Sequence, residues 1–251
     1  MLDKKQYSLV EKVTLKRLGS SFTASLCFSC NKLDILKDSK ETFLHSEELD
    51  YFKTLSFEKR HKSYLLGKFC AKKALLLPLD KKVPSSILIR SGVFGHPVVI
   101  YPDPENHQIS ISHSGDWSAA IAYPAVHPMA VDIETVDPGR LKTIEAMLTS
   151  SEKDMIKKLP VPEAAGYTIL WTIKESLSKL LKTGRAAPFD IYEVKKLDYF
   201  ENCFTSSFIN FGQYKVTSFI FTNMACSIIS PLESEFDLDI QALIEQLQEL
   251  I

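Results

Sequence analysis

Residues 109–134 read ISISHSGDWSAAIAYPAVHPMAVDIE, and the layout of the whole chain turns on how they divide. Ile109, Ile111 and His113 alternate with Ser110, Ser112 and Ser114, the two-residue period of a strand with unlike faces. Gly115-Asp116 supplies a turn, and 117–123 reads as a second strand. Pro124 and Pro128 bracket a further turn, which marks a boundary between an N-terminal half, 1–125, and a C-terminal half, 126–251. The second half opens with a strand at 129–134. Asp132 and Glu134, two residues apart, project to one face of it, and Val131 and Ile133 point into the core.

Upstream, Phe22, Ala24, Leu26, Phe28 and Cys30 alternate with polar neighbours and predict a strand at 21–30. A mostly polar stretch follows to about residue 49. From about 56 to 77, Leu66, Phe69, Cys70, Ala74 and Leu77 recur at helical spacing; the polar side carries Lys59, Arg60, Lys62, Lys68, Lys72 and Lys73. Strands at 86–90 and 97–101 lead into the opening stretch. Downstream, Thr149 and Glu152 have capping-box spacing and start a helix at Ser150. A longer helix runs from about 163 to 182 and stops at Gly184. Segments 191–199, 203–210 and 214–229 read as a strand meander. From Asp239 the tail is amphipathic, with Ile240, Leu243, Ile244, Leu247 and Leu250 on one face, and is expected to pack on the chain's own core. The expected class is α+β, with no repeat visible residue by residue.

The 251 residues suffice for one large domain or two small ones, and 45% hydrophobic with 24% charged residues is ordinary for a folded globular protein. A formal net charge of −1 gives no global field for nucleic acid or anionic membrane, and neither is expected as a partner. The apolar run 74–79 is too short to span a bilayer, and Met1-Leu2-Asp3-Lys4-Lys5 starts no leader, so a cytoplasmic setting is expected. Five cysteines suggest no disulfide framework. Cys27 and Cys30 have the spacing of a metal or redox pair, but an odd offset on a strand sends them to opposite faces, so both are read as structural.

Three segments carry candidate chemistry. His113, near a strand end, either bonds a phosphate or serves as an ordinary structural histidine. Asp132 and Glu134 are either a solvated strand end or a site for a cation that offsets their repulsion; Mg²⁺ is commonly held by one or two carboxylates with phosphates and water. Trp171, Glu175 and Lys179 lie at steps of four on one helix face, where Glu175 and Lys179 form either a surface ion pair or part of a site. Together they make three carboxylates for a divalent cation, with a histidine and lysines as phosphate partners. That is the equipment of phosphoryl-group transfer. A hydrolase built on His113, Asp132 and Cys70 is disfavoured, because the chain lacks a G-x-S-x-G elbow and Cys70 falls on the apolar stripe.

In order along the chain, Gly95-His96-Pro97, Ser112-His113-Ser114, Val131-Asp132-Ile133-Glu134 and Trp171-x-x-Lys174-Glu175-Ser176-x-x-Lys179 resemble the motifs of the 4′-phosphopantetheinyl transferase superfamily, in its longer, surfactin-synthetase-activating type. Leu66-Gly67-Lys68 looks like that family's N-terminal coenzyme A-binding helix. The resemblance covers roughly half the chain, from Lys59 to Gly184. It implies a monomer of two pseudo-symmetric α+β halves with coenzyme A in the cleft between them, and an apo-acyl or peptidyl carrier protein as the acceptor. Asp132, Glu134 and Glu175 would ligate Mg²⁺, or Mn²⁺ in its place. Lys62, Lys68, His96, Pro97, Ser112, His113 and Lys174 would contact coenzyme A. Lys179 would do so too, and would stabilise charge on the leaving group. Glu175, directly or through a water, would deprotonate the attacking serine, with adenosine 3′,5′-bisphosphate as the second product. The alternative is a catalytically inactive relative that binds coenzyme A or a carrier protein. Two positions depart from the family: His96 stands where lysine or arginine is usual, and Ser110 where asparagine is frequent.

Overall fold

A computed structural model describes residues 7–17, 19–103 and 106–250. The chain starts with an antiparallel pair, β1 (Ser8–Arg17) and β2 (Ser20–Cys30), followed by α1 (Leu33–Phe43), α2 (Ser46–Lys53) and the long α3 (Glu58–Leu76). A small hairpin, β3 (Leu88–Ser91) with β4 (Pro97–Ile100), precedes β5 (His107–Ser114) and β6 (Trp117–Pro124). Then come β7 (Ala130–Thr135), α4 (Leu141–Glu145), α5 (Ser150–Ile156) and a second long helix, α6 (Glu163–Leu181). The meander β8 (Val194–Phe200), β9 (Cys203–Phe208), β10 (Tyr214–Phe221) and β11 (Met224–Pro231) follows, and β12 (Glu235–Asp237) and α7 (Ile240–Gln248) end the described chain. The class is α+β. Strand order is β12-β1-β2-β6-β5 in one sheet and β7-β11-β10-β9-β8 in the other.

The packing follows from side-chain size. Ala120 and Ala122 of β6 meet Cys70, Ala71 and Ala74 of α3, and small residues on both sides let helix and sheet close together. The other face of β6, with Trp117 and Ile121, joins Phe28 of β2 and Val131, Ile133, Phe219 and Phe221 of the second sheet in one shared core. Each fully buried side chain of this size contributes about 1.5–3 kcal/mol, so this cluster is what holds the two sheets together. On the far side of the second sheet, Ile169, Leu170, Ile173 and Leu177 of α6 cover Ala130, Ala225 and Ile229. Leu243, Ile244 and Leu247 of α7 complete the shared core, as the amphipathic tail leads one to expect, and β12 returns to pair with β1.

Several elements escaped the pattern reading. The polar stretch to about residue 49 holds α1 and the start of α2, whose apolar contribution is sparse: Leu36, Phe43, Leu44 and Phe52 close against Leu65, Leu66 and Phe69. The run 214–229 is two strands, split where Thr222 adopts φ +50° in a turn. Helix α6 ends with Lys182 in the left-handed conformation (φ +56°), two residues before Gly184. Lys72, assigned to the polar side of α3, is fully buried, whereas Leu77 is exposed. Cys27 packs beneath α3 and Cys30 lies against the shared core, on the opposite face of β2.

Each long helix is secured by the same construction. Glu48, the N3 residue of the α2 capping box, accepts hydrogen bonds from Lys68 and from the Ile89 amide, and pairs with Lys72. Glu152, the N3 residue of the α5 capping box, accepts from Lys174 and from the Val194 amide. The spacing between glutamate and lysine differs in the two cases.

Candidate active site

The two sheets meet along β5 and β7, and the serines of β5 make the seam. Ser110, Ser112 and Ser114 accept hydrogen bonds from the amides of Val131 (3.2 Å), Ile133 (3.2 Å) and Thr135 (3.0 Å). Three hydroxyls at strand period thus replace the carbonyls of a main-chain ladder. Ser112 also donates to Asp132 Oδ1 at 2.7 Å, and Ser114 to Glu134 Oε2 at 3.0 Å. Ser112 is buried, and its hydroxyl bonds across the seam and orients Asp132.

Asp132 is almost wholly buried. Its Oδ1 also receives Lys179 Nζ at 2.7 Å from α6, and the same ammonium donates to the Ile111 carbonyl at 3.1 Å. Its Oδ2 is buried and has no hydrogen-bond partner among the described residues. A buried carboxylate oxygen without a donor is costly unless a cation is nearby, so this atom fits a divalent cation. Burial pushes the Asp132 carboxyl up, and the Lys179 ammonium offsets part of that. Glu134 is bonded by Arg140 at 2.8 Å, and that guanidinium sits 6.0 Å from the Trp171 ring. Trp171 in turn packs on Phe189, which partly covers this helix face. Glu175, one turn before Lys179 on α6, is half-buried. Among the described residues no group of three or more His, Cys, Asp or Glu side chains converges on one point; here Lys179 and Arg140 balance Asp132 and Glu134.

Two cavities lie nearby, of which the smaller is lined by Glu175 and Lys179. The larger, about 590 Å³, is lined by Arg60, Lys68, Arg90, Tyr64, Gly67 and His113 among others. Gly67 makes the close approach possible: a Cβ there would sit 3.3 Å from Ile111 Cγ2. Desolvation, then the Lys179 ammonium, holds His113 below the usual histidine value. The smaller cavity, about 250 Å³, is lined by His96, Ser110, Glu175, Lys179 and Lys182 among others. Gly95, Pro97 and Ile111 border both, so the β3–β4 hairpin is the wall between them. Burial and then Lys182 push His96 down, which keeps its ring neutral over more of the pH range than an unperturbed histidine.

The lysines divide. Lys68 donates to Glu48 (3.0 Å) and to the Ile89 carbonyl, with its side chain 13% exposed at the larger cavity. Lys62 pairs with Asp116 at 2.5 Å beside the β5–β6 turn. Lys174 departs from the expected coenzyme A contacts: it is fully buried, with Nζ 3.0 and 2.9 Å from the two oxygens of Glu152. A helix places adjacent side chains about 100° apart, so Lys174 faces inward while Glu175 looks to the cavity. Arg90 and Arg140 were missed: Arg90 ends the strand read at 86–90 and Arg140 lies in a one-turn segment, and neither falls in a motif that carries chemistry. Cys70 is buried and donates to the Cys27 carbonyl at 3.1 Å, which excludes it as an exposed nucleophile.

Comparison with known proteins agrees with these motifs. The family model for the 4′-phosphopantetheinyl transferase superfamily matches residues 128–226. The 4′-phosphopantetheinyl transferase gsp of Aneurinibacillus migulanus is 29% identical over 134 residues, covering 53% of this chain and 53% of that protein. The 4′-phosphopantetheinyl transferase Sfp of Bacillus subtilis (strain 168) is 30% identical over 118 residues, 47% of this chain and 50% of that protein. The chain spans about half the length of the curated relatives it matches. A holo-(acyl-carrier-protein) synthase from Bacillus anthracis, solved with CoA (3′,5′-ADP), is 17% identical with a TM-score of 0.34, covering 45% of this chain and 95% of that one, a likeness too slight to argue from. Residues 128–226, which hold the Asp132–Glu134 strand and the helix of Glu175 and Lys179, are thus similar to the 4′-phosphopantetheinyl transferase superfamily.

Proposed function

We propose that the protein transfers the 4′-phosphopantetheine group of coenzyme A to a serine hydroxyl of an acyl or peptidyl carrier protein, as a Mg²⁺-dependent (or Mn²⁺-dependent) monomer of the cytoplasm. The observation that carries this reading is Asp132: a buried carboxylate with one oxygen fixed by Ser112 and by Lys179, which lines the smaller cavity, and the other without a donor among the described residues; the adjacent strand, β5, brings His113 to a larger cavity bordered by Arg60, Lys68 and Arg90. Asp132, Glu134 and Glu175 would hold the cation, which when bound offsets the charge of the pyrophosphate. The cationic wall of the larger cavity suits the nucleotide phosphates of coenzyme A. Glu175 takes the serine proton, directly or through a water. The serine oxygen forms a bond to the phosphorus that bears pantetheine, and the bond to the second phosphate breaks. That phosphate leaves as adenosine 3′,5′-bisphosphate, with Lys179 neutralising the charge it gains. The free thiols suit a reducing compartment.

The test is direct. Purified protein with Mg²⁺, coenzyme A and apo-carrier proteins of the fatty-acid, polyketide and nonribosomal-peptide types is expected to add phosphopantetheine to at least one carrier serine, read by mass spectrometry. No mass shift on any of the three, with folded protein, would overturn the reading.

His96 adds a pH signature. In the free protein its value is lowered by burial and Lys182. A phosphate brought into the smaller cavity favours the charged ring and raises that value, so binding takes up a proton. Affinity then falls as pH rises through the liganded value, and the KM for coenzyme A is expected to increase between about pH 6 and 8. His113 titrates in the same direction, so the comparison is with His96→Lys, whose profile should be flatter. Parallel profiles would mean that His96 does not meet a phosphate.

A further inference from the structure

Lys174 and Glu152 are both fully buried, and nothing in the proposed chemistry uses either. Three donors make four hydrogen bonds to this one carboxylate. Lys174 approaches both oxygens, the Val194 amide donates to Oε1 at 3.0 Å, and the Thr149 amide donates to Oε2 at 2.9 Å. The Lys174 ammonium also lies 5.2 Å from the Phe189 ring. One carboxylate therefore ties the start of α5, the middle of α6 and the start of β8 to a single point.

A buried ion pair is weak evidence of stabilisation, because well-packed apolar residues in its place are often as good or better. What apolar packing does not provide is a directional anchor. We propose that Lys174 and Glu152 are positioning residues that set the rotation of α6 about its own axis, and so the placement of Glu175 and Lys179; this rests on the transferase reading above. Lys174 immediately precedes Glu175, so fixing one side chain fixes the direction of the next. A helix with its side chains has a radius of about 5–6 Å, so a rotation of roughly 10° moves a side-chain tip by about 1 Å. A misplacement of that size costs reactions of this kind about 10²-fold. The other long helix supplies independent support. Glu48 anchors α3 by the same construction, through Lys72 and Lys68, and Lys68 borders the larger cavity. Both helices that face the site are held by a buried lysine on a capping-box glutamate.

The pair is tested by removing both charges together, in Glu152→Gln/Lys174→Met and in Glu152→Leu/Lys174→Met, so that no buried charge is left unpaired. Both double variants are expected to fold, shown by circular dichroism and a cooperative melt. The kcat should fall at least 10-fold, with the KM for coenzyme A within about 2-fold of the parent, since the walls of the larger cavity are untouched. The rise in Tm on adding Mg²⁺ should shrink as well, because Glu175 no longer stands where the cation needs it. That readout requires no turnover: a parent protein that shows the Mg²⁺ shift but no transfer would refute the transferase reading and still judge the pair. A folded double variant with parental kcat and parental Mg²⁺ shift would overturn the proposal. Failure of both double variants to fold would assign the pair to the fold alone and overturn it equally.

Discussion

Asp132→Asn is expected to lower kcat by about 10²–10³-fold, the loss typical of removing one preorganised charge-stabilising group, while leaving the metal-free protein at least as stable as its parent. The two effects have one cause. Asp132 is buried, and burial raises its carboxyl above the ordinary value; Lys179 draws it back, Glu134 pushes it further up, and Lys179 and Ser112 also bond to the charged form. A carboxyl whose folded value lies above its unfolded value favours folding only where it is protonated. That contribution is present below the unfolded value near 3.9 and is lost as pH rises through the folded value. At neutral pH the buried charge is therefore a cost, kept for what it does and not for what it stabilises. Asparagine keeps the shape and an acceptor for Ser112 and Lys179, and removes the charge. Thermal melts at pH 7 with and without Mg²⁺ check this: Mg²⁺ should raise the Tm of the parent and not that of the variant. A kcat within 10-fold of the parent would remove Asp132 from the site.

Much of this site was legible because strand and helix periods fix which side chains share a face. The two-residue spacing placed Asp132 and Glu134 together, and the four-residue spacing placed Glu175 and Lys179 on one stripe of α6. The serines of β5 were read correctly as one face of a strand. Their task was not legible, because a seam between two sheets is a long-range relation that no local period encodes. The same limit explains Lys72 and Lys174. By residue type each reads as a solvated cation, and only tertiary structure brings Glu48 and Glu152 against them. The short helices α1 and α2 were hidden by composition, since a few apolar residues among many charges give little periodic signal. The capping box at Thr149 and Glu152 was visible from spacing, but Glu152 serves two purposes, and the spacing reveals only the first.

Lys179→Met is expected to produce the opposite pattern of stability: a lower Tm without metal and a larger recovery when Mg²⁺ is added. In the parent, Lys179 Nζ lies 2.7 Å from Asp132 Oδ1 and donates to the Ile111 carbonyl at 3.1 Å. Methionine keeps the length and the apolar stem but leaves Asp132 charged, buried and without its ammonium partner. For a fully buried pair such a loss costs about 3–5 kcal/mol. The Lys179 side chain is 27% exposed, so water screens part of the interaction, and about 1–2 kcal/mol is the better expectation. In a chain of this length that corresponds to a fall of roughly 2–8 °C in Tm. Mg²⁺ then supplies the missing positive charge, and it does so without competing against the ammonium for the same carboxylate. Its stabilisation, which grows as RT ln(1 + [Mg²⁺]/Kd), should therefore exceed that of the parent at equal concentration. Catalysis should not recover with stability, because the charge leaving on adenosine 3′,5′-bisphosphate would still lack Lys179, and kcat should stay about 10²-fold or more below the parent. Lys179→Arg separates the two roles. A guanidinium restores a cation to Asp132 and with it most of the Tm, but its planar fork does not present the compact point charge of an ammonium, so kcat should recover only in part. A methionine variant that melts with the parent and shows the same Mg²⁺ shift would mean that Lys179 does not neutralise Asp132, and that the positive charge beside this carboxylate must be sought elsewhere in the site.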